Sequence, residues 1–144
     1  MDKLKQDVLM ANTAFYAAFN DKDVTGMEEL WAGRDDIACV HPGWGALRGR
    51  EQVLGSWEAI LSSMDSPHLN GTNETVHITG ETAFVVCDET VDGEAPQLVA
   101  TNVFVQSEGS WRLLHHHASP IIQVIESDEE EDEEPSEPID TVLH

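Results

Sequence analysis

The sequence predicts an α+β domain, helices first and an antiparallel sheet second, on three observations. Three stretches before Ser66 place apolar side chains at helical spacing. From Thr75 onward, Val-rich apolar runs alternate with short turn signals, as in a strand meander. Ser66-Pro67 separates the two regimes, because proline cannot continue a helix. Helical and strand segments kept apart along the chain indicate α+β rather than alternating α/β.

Residues 3–20 carry Leu4, Val8, Ala11, Phe15 and Phe19 on one helical face, and Asn20-Asp21 breaks the pattern. A second short helix is expected over about 23–32, with Val24, Met27, Leu30 and Trp31 as its stripe and Gly33 as its stop. Ile37-Ala38-Cys39-Val40 reads as a short strand. The helical period returns from Arg50 to Met64 through Val53, Leu54, Trp57, Ile60, Leu61 and Met64. Thr75–Thr79 opens the sheet and Thr79-Gly80-Glu81 turns it into Ala83–Glu89. Asp92-Gly93 is a hairpin signal before Gln97–Gln106, and Glu108-Gly109-Ser110 leads into Trp111–Ser119. Both faces of these strands are apolar, Phe84 and Val86 against Val85 and Cys87. The helices can cover one face. A second copy of the chain is expected on the other, making a homodimer through Val85, Cys87, Val103 and Val105.

A chain of 144 residues fits one domain. Its formal net charge is −21, and residues 126–144 hold 10 of the 28 acids with no Lys or Arg. That sets a domain of 1–125 apart from an acidic tail of 126–144, expected to be solvated and disordered or to dock on a basic partner. The remaining 18 acids outnumber seven bases, so nucleic acid and anionic membrane are not expected partners. No leader-like start and no bilayer-length apolar run is visible, which reads as cytoplasmic. Cys39 and Cys87 lie in apolar runs and read as reduced hydrophobes.

The stretch Val40-His41-Pro42-Gly43-Trp44 is the candidate site. Pro42 ends the strand and keeps His41 extended, Gly43 turns the chain, and Trp44 supplies a flat apolar surface. A histidine at a stiffened strand end beside an indole suits a pocket mouth. Because of that position, His41→Ala is expected to leave stability nearly unchanged while abolishing ligand binding. His115-His116-His117 invites a metal reading, but successive strand side chains point to opposite faces, so no metal and no cofactor is expected.

Taken together, Ala17-Ala18-Phe19-Asn20, Asp23–Trp31, Asp36–Pro42, Gly49-Arg50 with Ser56-Trp57, and Trp111–His117 resemble the NTF2-like superfamily and, within it, the SnoaL-like domains. The resemblance covers roughly residues 4–122 and implies a cone, a curved antiparallel sheet wrapped on N-terminal helices, with a pocket at its open end. The order of elements is similar to ketosteroid isomerase, whose catalytic base falls on His41 and whose oxyanion-hole acid falls on Asn102. An amide can donate to a developing oxyanion without a shifted pKa. The isomerase's oxyanion tyrosine falls on Phe15, which donates nothing, and Tyr16 is set about 100° round the helix. Similarity to the kinase association domain, through Trp111 and His115-x-His117-x-Ser119, places Asn102 and Ala118 on the pocket side. Strict alternation then adds His116 and Leu114 to that side and puts His115 and His117 opposite.

The resemblance thus implies His41 as base and Asn102 as donor, with Phe15, Trp44, Trp57, Phe104 and His116 lining a pocket for a small hydrophobic or aromatic molecule. Three functions stay open. They are an isomerase, cyclase or dehydratase abstracting a proton beside a carbonyl, a non-catalytic ligand-binding module, and a dimerisation domain presenting the tail.

Overall fold

The computed structural model describes residues 2–122, so the 126–144 tail lies outside the described residues. Helix α1 spans Lys3–Asn20 and is capped by the Asp2 carboxylate, which accepts the Lys5 N–H at 2.9 Å. Its inward stripe is Val8, Asn12, Phe15, Tyr16 and Phe19. Helix α2 spans Val24–Leu30, with Asp23 accepting the Gly26 N–H. Strand β1 (Ala38–Val40) and the two-residue β2 (Leu47–Arg48), which the sequence did not reveal, lead into helix α3 (Gly49–Leu61). That helix stops three residues before Met64. Ser63 Oγ accepts the Asp65 N–H there, a local bond that competes with another helical turn.

Four long strands follow: β3 (Leu69–Thr79), β4 (Thr82–Val91), β5 (Pro96–Ser107) and β6 (Ser110–Pro120). The sheet order is β2-β1-β6-β5-β4-β3. It is antiparallel apart from β1 and β6, which run parallel with Cys39 opposite His116. The result is the α+β cone, a curved, unclosed sheet with the helices in its concavity.

β3 begins six residues ahead of Thr75, through Asn70-Gly71-Thr72-Asn73, a stretch that locally reads as turn. Two contacts with α1 impose the extended form. Asn20 holds Leu69 by both its amide groups, accepting from its N–H at 2.8 Å and donating to its C=O at 2.7 Å. Gly71 lies so close to Tyr16 that a Cβ there would sit 2.8 Å from the ring. A bulge between Thr72 and Thr75, with Asn73 at φ 56, absorbs the irregularity.

The register corrects two face assignments. Val85 pairs with Asn102 and Cys87 with Ala100, and all four are buried against the helices. The outer face therefore carries Phe84, Val86 and Val103, with His115 and His117 beyond, rather than Val85 and Cys87. Along β6, Phe104 pairs with Leu113 but Val103 pairs with His115, so Leu114 is an extra, bulged residue. Leu113, not Leu114, takes the inward place, while His116 and Ala118 stay inward. Simple alternation fails here because a bulge shifts which residues face in.

Candidate functional site

His41 follows β1 directly. Pro42 and Gly43 (φ 82) form a type II turn closed by the Trp44 N–H donating to the His41 C=O at 2.9 Å. The turn holds the imidazole edge-on between two indoles, 4.8 Å from Trp44 and 4.6 Å from Trp57 between ring centres. His41 is 97% covered, so it is more buried than a strand-end position suggests. Its Nε2 lies 2.9 Å from Ser56 Oγ, whose own proton goes to the Val53 C=O at 2.7 Å. Ser56 therefore accepts, which puts the His41 proton on Nε2 and leaves Nδ1 unprotonated; the Cys39 thiol lies 3.9 Å from Nδ1 and 3.8 Å from Nε2. Burial pulls the His41 pKa down to about 4 and pushes the Cys39 thiol up to about 12.

Beside His41, with 6.5 Å between ring centres, sits His116 from β6. Its Nδ1–H donates to Asn102 Oδ1 at 2.5 Å, and Nε2 is left without a proton. Asn102 Nδ2 donates to Asn12 Oδ1 at 2.8 Å and to Tyr16 Oη at 3.3 Å. Tyr16 in turn donates to Glu89 Oε2 at 2.6 Å. Burial above all, then the neighbouring His41, His115 and His117, lowers His116 to about 3. Burial raises the Glu89 pKa against the weaker lowering by the Tyr16 bond. Tyr16 itself is held protonated, by burial first and by Glu89 second.

A cavity of about 240 Å³ opens at this end of the cone. Its wall includes Phe19, His41, Trp44, Trp57, Glu89 and His116, closed by aliphatic side chains from α3, β3, β4 and β5. Three of the expected lining residues, Trp44, Trp57 and His116, meet there with His41. The other two, Phe15 and Phe104, and the expected donor Asn102 are not part of its wall. Phe15 packs edge-on beneath Trp57, 5.5 Å away, and Phe104 is buried deeper in the sheet. Asn102 is wholly buried behind His116 with both amide groups already bonded, so it orients a wall residue instead of facing the cavity.

Glu89 and Tyr16 are the residues that sequence reasoning missed. Glu89 continues the inward set Ala83, Val85 and Cys87 at a spacing of two, a legible signal. Helical spacing turns Tyr16 about 100° away from Phe15, yet a helix packed into a concave sheet buries both positions. Among the described residues no three His, Cys, Asp or Glu side chains converge as a metal site requires. No helix among them is long and apolar enough to cross a membrane.

The SnoaL-like domain profile matches residues 8–123, most of the chain. The chain belongs to the SnoaL-like domain family. One similar solved structure, a candidate dehydratase of the NTF2-like family from Streptomyces avermitilis, is 37% identical over 85% of this chain and 99% of that one, with a TM-score of 0.77. Another, a candidate calcium/calmodulin-dependent protein kinase type II association domain from Thiobacillus denitrificans, is 32% identical over 78% and 93%, with a TM-score of 0.70. The F-box protein SKIP8 of Arabidopsis thaliana is 24% identical over 115 residues, 80% of this chain. This SnoaL-like chain spans about half the length of that curated relative, 50%.

Proposed function

We propose that this SnoaL-like domain binds a small hydrophobic or aromatic molecule in the cavity beside His41. His41 Nδ1 would then take a proton from a carbon next to a carbonyl, in an isomerisation, cyclisation or dehydration. The observation that carries the reading is the tautomer. Ser56 accepts from Nε2, so the unprotonated Nδ1 is the atom left for base chemistry, in an apolar, aromatic cavity. Burial holds His41 in its base form at neutral pH. The candidate dehydratase relative supports the same reaction class. A low pKa also makes a weak base, which favours the second reading, a binding pocket without chemistry. The site residues of this proposal are His41 as base, Trp44, Trp57 and His116 as lining, and Asn102 as the residue that orients His116. The domain is proposed to act as a homodimer through the corrected outer face, around Phe84, Val86 and Val103.

A thermal-shift screen of small aromatic ketones and alcohols on wild type and His41→Ala tests the site. The ligand-induced rise in Tm should appear in wild type and vanish in the variant. A rise that survives the substitution would sink the site. The variant itself should lose about 1–3 kcal/mol by denaturant unfolding, since a buried bond to Ser56 and two indole contacts go with the imidazole. That replaces the near-neutral expectation.

A further inference from the structure

Three ionisable side chains line the cavity, and their bonds to the surrounding protein leave one ring nitrogen of each histidine and one oxygen of Glu89 without a strong partner. Ser56 fixes the His41 proton on Nε2, and Asn102 fixes the His116 proton on Nδ1. Tyr16 occupies Glu89 Oε2 and leaves Oε1. Among the described residues nothing donates to His116 Nε2 or to Glu89 Oε1. His41 Nδ1 has only the weak Cys39 thiol. The indole N–H of Trp57 is fully buried without an acceptor, so it adds no accessible donor.

The charges are as one-sided as the hydrogen bonds. Glu89 is 1% exposed, and no Lys or Arg belongs to the cavity wall. The two histidines are both held neutral by burial and cannot balance a carboxylate. A buried carboxyl without a counter-ion keeps its proton or waits for a cation. The same cavity is lined by Phe19, Trp44 and Trp57, aromatic side chains of the kind that best tolerate an organic cation. The whole chain carries a net charge of −21, which draws cations toward it and repels anions.

We infer that the cavity takes a small aromatic or aliphatic amine in its ammonium form, with Glu89 as the counter-ion and the indoles of Trp44 and Trp57 beside the cation. This rests on the small-molecule reading above and narrows it to a ligand class. An ammonium group brings donors for the unprotonated histidine nitrogens and the counter-charge that an ionised Glu89 needs. When it binds, the Glu89 proton leaves to solvent and the carboxylate pairs with the cation. Carboxylate ligands are disfavoured, because the wall holds no Lys or Arg to pair with them and the net charge of −21 repels anions. At about 240 Å³ the cavity lies below the ≈ 300 Å³ at which pockets for drug-sized ligands begin, so one ring with a short arm fits. A cation on the ligand would also offset the negative charge that proton abstraction by His41 develops.

The test compares benzylamine, benzyl alcohol, toluene and benzoate by calorimetric titration at neutral pH on the full chain. Benzylamine should bind at least about tenfold more tightly than benzyl alcohol, and benzoate should not bind. In Glu89→Gln, benzyl alcohol should keep its affinity while the amine loses its advantage. Equal affinity for amine and alcohol in wild type overturns the inference while leaving the pocket reading intact, and that comparison needs no variant. An amine preference that survives Glu89→Gln overturns it too. If neither toluene nor any of the other three binds, the pocket reading fails first and the inference falls with it.

Discussion

Two kinds of buried ionisable group face the same cavity, and protons act on them with opposite sign. His41 and His116 titrate near 6.5 when unfolded but only at about 4 and about 3 in the fold. As pH falls through that window the unfolded chain binds more protons, so stability is lost. Glu89 is shifted the other way, its folded pKa lying above the unfolded 4.5, so its burial costs stability as pH rises through the folded value. Wild-type Tm should therefore fall as pH drops from 6.5 toward 4. Glu89→Gln, which keeps the oxygen Tyr16 donates to, should melt higher than wild type at pH 8, with the gain shrinking as pH falls below the folded Glu89 pKa. Melting curves across pH read both effects, and a Glu89→Gln protein less stable than wild type at pH 8 would contradict this account. These consequences were only half legible in the sequence. His41 is marked by its proline, but its tautomer depends on Ser56, a contact with α3 that no spacing reports.

At the scale of elements, α1 and β3 are held together at one crowded point. Gly71→Ala would drive a methyl to 2.8 Å from the Tyr16 ring, so the ring or the strand must yield. The expected cost is about 1–3 kcal/mol, the usual penalty for overpacking. Displaced from Glu89, Tyr16 should leave that carboxylate harder to bury, so the loss should be smaller in a Glu89→Gln background; a double-mutant cycle by urea unfolding measures it. The same contact explains a boundary that sequence reasoning misplaced. The helices and the hairpins are local events, written in periodicity and turn residues, and their existence and order are legible. The first six residues of β3 are extended because Asn20 and Tyr16 hold them, and locally they look like turn. The face assignments failed for a related reason, since pairing partners and bulges decide them and hydropathy does not.

For the whole molecule, the outer sheet face is an apolar surface that the helices leave uncovered among the described residues. Phe84 is 39% exposed there and stacks on His77 at 4.6 Å between ring centres. Val103 pairs directly with Phe84 across the ladder. As a dimer surface, this face predicts twice the monomer mass by light scattering, and Val103→Glu should yield monomers because an unpaired charge in a dry interface is costly. A monomeric wild type at micromolar concentration would refute it. The acidic segment 126–144 belongs to this scale too. It has ten acids, no Lys or Arg and no apolar periodicity, so truncation after Ile125 should change Tm by no more than a few degrees. A larger drop would mean that the segment contacts the fold.

The bulge at Leu114 separates the shape of the cavity from its chemistry. Ahead of it the inward positions of β6 are odd-numbered, Trp111 and Leu113; beyond it they are even, His116 and Ala118. The strand is in effect two segments of opposite parity joined by one uncounted residue. Deleting Leu114 would restore uniform parity without turning a single inward side chain outward, so the inventory of the wall would survive. The extra coil that a bulge gives its strand would not. The hollow under His116 would then shallow or close with every lining residue still in place, a loss of function that no inspection of those residues would foresee.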